Sequence, residues 1–100
     1  MDKHTITVTV KDAPMNVYCE LEGQEVDLWP GDDGYVRTFK DFVVEGDLNL
    51  FVHCKGLNGT ECRITLHVDD RGPWSRSGTI DKGFFRVDES IVLPLESTDE

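Results

Sequence analysis

Apolar and polar residues alternate along most of this chain with a period of two. Ile6, Val8 and Val10 alternate with Thr5, Thr7 and Thr9, and Val17, Cys19 and Leu21 with Tyr18, Glu20 and Glu22. Leu48, Leu50, Val52 and Cys54 alternate with Asn49, Phe51, His53 and Lys55. Cys62, Ile64, Leu66 and Val68 do so with Arg63, Thr65 and His67, and Ile91, Leu93 and Leu95 close the pattern. Successive side chains on a strand point to opposite faces, so each run predicts a half-buried strand. No stretch of about a dozen residues carries a helical stripe without an interrupting Gly or Pro.

Turn-forming residues separate these runs: Lys11-Asp12-Ala13-Pro14, Glu22-Gly23, Pro30-Gly31-Asp32-Asp33-Gly34, Glu45-Gly46-Asp47, Leu57-Asn58-Gly59, Asp69 to Pro73 and Asp81-Lys82-Gly83. Seven to eight short antiparallel strands at such spacing predict an all-β fold, a single antiparallel β-sandwich of immunoglobulin-like type. The Trp between paired cysteines that marks antibody domains has no counterpart here, so the likeness is to the general architecture. Residues 1–95 are expected to form the sandwich, and residues 96–100 a polar C-terminal tail.

One hairpin follows in detail. A three-residue loop, Leu57-Asn58-Gly59, closed by Gly56 and Thr60 with Gly59 left-handed, would set Cys54 opposite Cys62 and Val52 opposite Ile64. Leu50 would then face Leu66, and Leu48 would face Val68. The reverse face would pair Lys55 with Glu61 and His53 with Arg63. Tyr35 to Val44 breaks the pattern, because Phe39 and Phe42 are three apart. A bulge or sheet-switching corner near Lys40-Asp41 is therefore expected.

A chain of 100 residues supports one core. Twenty acidic residues against ten basic ones leave a formal charge of −10. That charge opposes nucleic acid and anionic lipid as partners and favours a protein with a basic surface. No apolar run is long enough to span a membrane, and the residues from Met1 to Val8 lack the apolar stretch of an export signal.

All three cysteines fall on the inward set. They are expected to be buried, reduced thiols in a cytoplasmic protein, and no cofactor is expected. The rival is an extracellular domain with a Cys54–Cys62 disulfide. No CxxC occurs, which removes zinc-ribbon and thioredoxin-type chemistry.

Catalysis finds no constellation. His53 and Cys54 are neighbours on a strand, so imidazole and thiol face opposite ways. Asp88-Glu89 and Asp32-Asp33 are sequence neighbours, not carboxylates facing across a cleft. No GxSxG, P-loop or GxGxxG is present. A metal site is not expected. A calcium alternative would draw on Asp47, Asp69 and Asp70, although acidic turn residues are common for local hydrogen-bonding reasons.

The predicted hairpin offers a binding face: Phe51, His53, Arg63, Thr65 and His67. Rings and an Arg on a flat sheet face suit protein recognition, against the plainer alternative of an ordinary mixed surface. Trp29 and Trp74 could stack on a sugar or lid the core. The expectation is a non-catalytic acidic interaction module of adaptor, inhibitor or immunity-like type. The alternative is a carbohydrate-binding or structural module of a larger extracellular or phage protein.

Overall fold

Alternation becomes structure wherever two strands can bury their apolar faces together. The computed structural model describes residues 2–11, 15–31 and 34–95. Within them lie nine strands: β1 (Asp2–Lys11), β2 (Asn16–Leu21), β3 (Gln24–Val26), β4 (Trp29–Gly31), β5 (Gly34–Val44), β6 (Leu48–Lys55), β7 (Glu61–Val68), β8 (Arg71–Thr79) and β9 (Phe84–Ile91). They build two antiparallel sheets packed face to face, with strand order β4-β5-β1-β7-β8 in one and β3-β2-β6-β9 in the other. Among the described residues there is no helix, and hence none long and apolar enough to cross a membrane.

The core is the inward half of each alternating run. Ile6, Val8 and Val10 meet Ile64, Leu66 and Val68 within the five-stranded sheet, and Leu48, Leu50 and Val52 face them from the other. Each fully buried aliphatic side chain contributes about 1.5–3 kcal/mol relative to exposure. Among the described residues no polar or charged residue is buried, so the core carries no polar desolvation cost. Leu95 is also buried, which anchors the end of the described chain against the core. The tail expected at 96–100 and the turn residues Asp12, Ala13, Pro14, Asp32 and Asp33 lie outside the described residues.

The expected 54–62 hairpin is corrected. Gly59 is left-handed (φ 89°), as the turn chemistry predicts, but the Thr60 N–H bonds to the Leu57 carbonyl, which closes a two-residue turn at Asn58-Gly59 in place of the expected three-residue loop between Gly56 and Thr60. Yet β6 and β7 are not ladder partners: β6 lies between β2 and β9, and β7 between β1 and β8. The segment from Gly56 to Thr60 crosses from one sheet to the other. Cys54 and Cys62 do meet, but across the core, with Sγ atoms 3.0 Å apart. The reason is symmetry in the pattern: two strands with matched apolar faces bury them equally well side by side or face to face. Two crossings sit together at this end, where the Gly59 N–H bonds to the Ile80 carbonyl, and the Asn58 side-chain carbonyl accepts the Gly83 N–H at 2.7 Å.

The expected irregularity at 40–41 is present. Ile6 pairs with Phe39 and His4 with Phe42, so Lys40 and Asp41 together oppose Thr5. Asp41 takes φ 56°, which turns Phe39 and Phe42 to the same side, where their rings meet edge to face at 6.0 Å. Gly34 (φ 140°) is required for a separate reason: a Cβ there would lie 2.0 Å from the Val10 carbonyl oxygen.

Candidate functional site

The separation of β6 from β7 divides the predicted binding face. Phe51 and His53 lie on the outer face of the four-stranded sheet, while Arg63, Thr65 and His67 lie on the outer face of the five-stranded sheet. The core stands between the two groups, so the five residues form no single surface. His53 pairs with Tyr18 and Arg86, not Arg63; Lys55 pairs with Asn16 and Phe84, not Glu61.

Two rings that the local pattern did not connect join Phe51 and His53. The β2–β6–β9 register sets Tyr18, His53 and Arg86 in one row, with Asn16, Lys55 and Phe84 on one side and Glu20, Phe51 and Asp88 on the other. Tyr18 packs edge to face on Phe51 at 5.9 Å, and the His53 ring lies 5.1 Å from Phe84. Tyr18 and Phe84 are each 40% exposed. The result is a four-ring patch on a sheet surface, held by rigid backbone on three strands.

Acidic groups border the patch. Glu20 stands opposite Glu25 of β3, and Asp88 stands beside Phe51. The Tyr18 hydroxyl donates to Glu20 Oε2 at 2.5 Å. That bond, followed by partial burial and the Glu20 charge, pushes the phenol up to about 12, so it stays protonated and fixed toward the carboxylate. Beside it, Asn16, Glu25, Asp27, His53 and Lys55 bound a hollow of about 490 Å³.

Trp29 and Trp74 stand on opposite edge strands of one sheet, β4 and β8. Four strand spacings, about 19 Å, separate those edges, so the two indoles cannot clasp one sugar ring. Each indole already carries a guanidinium on its face: Arg37 over Trp29 and Arg76 over Trp74, both at 4.4 Å. Trp74 packs against the core, as a lid residue should, whereas Trp29 is 59% exposed. Arg76 also makes two bonds to Glu89 of β9, at 2.6 and 2.9 Å. This ion pair spans the open side of the sandwich beside a cleft of about 430 Å³.

Asp47 and the Asp69-Asp70 turn occupy the same end of the molecule. Asp69 is engaged there: it accepts from the Thr5 N–H at 2.9 Å and pairs with His4 Nδ1. Among the described residues no group of three His, Cys, Asp or Glu side chains is arranged to hold a metal ion.

Cys19, Cys54 and Cys62 are buried, and no disulfide joins them. Burial pushes the Cys19 thiol up to about 12. The thiol bond to Cys62, then burial, holds Cys54 far above the ordinary thiol range. Neither thiol has the access or ionisation of a nucleophile. Comparison with protein families, characterised proteins and solved structures finds no match to this chain.

Proposed function

We propose that this protein is a non-catalytic interaction module that binds a protein partner through the outer face of β2, β6 and β9. The observation that supports this most is the patch of Tyr18, Phe51, His53 and Phe84, four rings grouped on one sheet surface with two of them well exposed. Rings deliver large contact area at small entropic cost, and they dominate the energetics of protein interfaces. The carboxylates of Glu20, Glu25 and Asp88 outnumber the cations Lys55 and Arg86 on this face and, together with the overall charge of −10, favour a partner with a basic surface. An immunoglobulin-like role, in which a sandwich serves as a rigid frame for a recognition surface, is part of this reading.

The test is affinity capture from the source organism's lysate and culture medium, at about 50 and 500 mM salt, read by mass spectrometry. The baits are the native chain, Tyr18→Ser with Phe84→Ser, and Arg63→Ala on the opposite outer face. The reading expects one protein recovered near one-to-one by the native chain and Arg63→Ala, weakened by salt and lost with the double variant. Equal recovery by all three baits, or none by any, counts against it.

A further inference from the structure

We infer that Cys54 and Cys62 are a redox pair, oxidised by a low-molecular-weight disulfide such as oxidised glutathione to a bond that staples the two sheets together. The two Sγ atoms are 3.0 Å apart, with the Cys62 thiol donating to Cys54, and both residues are fully buried. A disulfide needs about 2.05 Å, so closing the bond asks for an approach of about 1 Å. Both cysteines sit on interior strands of their sheets, β6 between β2 and β9 and β7 between β1 and β8. The bond would therefore join interior strands of the two layers, at the end where the segment from Gly56 to Thr60 crosses between them. Cys19, the third buried thiol, is instead the ladder partner of Val52.

The chemistry balances as two exchanges. One cysteine, as thiolate, attacks a sulfur of the small disulfide, forming a mixed disulfide and releasing one small thiolate. The second cysteine, also as thiolate, attacks the protein sulfur of that mixed disulfide and releases the other. Two electrons pass from the protein to the small disulfide, and the two protons lost by the cysteines end on the released thiols. In the folded chain both thiols are shut from solvent, and Cys54 is held protonated by the bond to Cys62 and by burial. Exchange therefore belongs to the open chain, and folding then preserves whichever state it encloses.

The experiment uses the full chain, unfolded in denaturant with reductant and refolded in oxidised and reduced glutathione poised near −200 mV, about that of the secretory pathway. Thiols are then alkylated under denaturing conditions, and peptides are mapped by mass spectrometry. The inference expects one intramolecular bond between Cys54 and Cys62, with Cys19 alkylated. It also expects a melting temperature about 5–15 °C above that of the reduced protein. Cys19→Ala should keep both the bond and the shift, and Cys54→Ala should lose both. Alkylation of all three cysteines in the refolded native chain would overturn the inference. So would a bond to Cys19, or one between two chains.

Discussion

Phe85 of β9 lies directly on Gly78 of β8. A Cβ placed on Gly78 would fall 2.2 Å from Cε1 of the Phe85 ring and 2.8 Å from its next two atoms. The contact joins the edge strands of the two sheets, so the absence of a side chain at 78 sets how closely that side of the sandwich can shut. Gly78→Ala should destabilise by about 1–3 kcal/mol through overpacking, read as a lower denaturant midpoint with an unchanged slope. Phe85→Leu combined with Gly78→Ala should cost less than the two single losses added, because the smaller side chain vacates the clashing space.

The Arg76–Glu89 pair crosses the same open side but is a surface interaction, with both side chains more than a third exposed. Glu89→Gln should cost no more than about 1 kcal/mol, and the difference should shrink as salt rises to about 1 M. A larger, salt-independent loss in equilibrium unfolding would show that the pair supports packing beneath it.

Acid should act in part through Asp69. Its carboxyl is held below the ordinary value of 3.8, first by the bond with His4 and then by the Thr5 N–H. A folded pKa below the unfolded one gives stability that is fully present above the unfolded value. That stability is lost as pH falls from about 4 through the folded value. Asp69→Asn should be less stable than the native chain near pH 6 by under about 1 kcal/mol, given the exposure of the site. The two unfolding curves should converge as pH falls through the folded value.

The bulge makes a contrast that a regular strand would not. Asp41 sits at φ 56°, where Gly is at ease and a β-branched residue is strained. Asp41→Gly should change stability by less than about 1 kcal/mol, whereas Asp41→Val should lose about 1–2 kcal/mol or more. Thermal melts of the two variants decide it; equal losses would show that the conformation at 41 is not what holds the bend.

Local order was written plainly in the chain. Ile6, Val8 and Val10 announce an inward face by alternation, and the three-residue step from Phe39 to Phe42 announces the bulge. What stayed hidden was which strands become neighbours. The contact of Cys54 with Cys62 follows from matched apolar faces, but alternation is silent on whether two such faces meet in one sheet or across two. The candidate site shows the same limit. Phe51 and His53 can be picked out from β6 alone, and the alternation of Val17, Tyr18 and Cys19 turns Tyr18 outward. Nothing local says that Tyr18 stands beside His53, or Phe84 beside Lys55, because those pairings are set by the packing of segments far apart in the chain.

The central place of β1 bears on how the molecule is assembled. Both of its partners come later in the chain, residues 34–44 on one side and 61–68 on the other. During synthesis at about 5–20 residues per second, roughly 60 residues must follow β1 before its second edge can be covered, a wait of about 3–12 s. Until then Ile6, Val8 and Val10 have no complete core to enter. The nascent chain therefore carries an open β edge, a row of unpaired backbone N–H and C=O groups, over that interval.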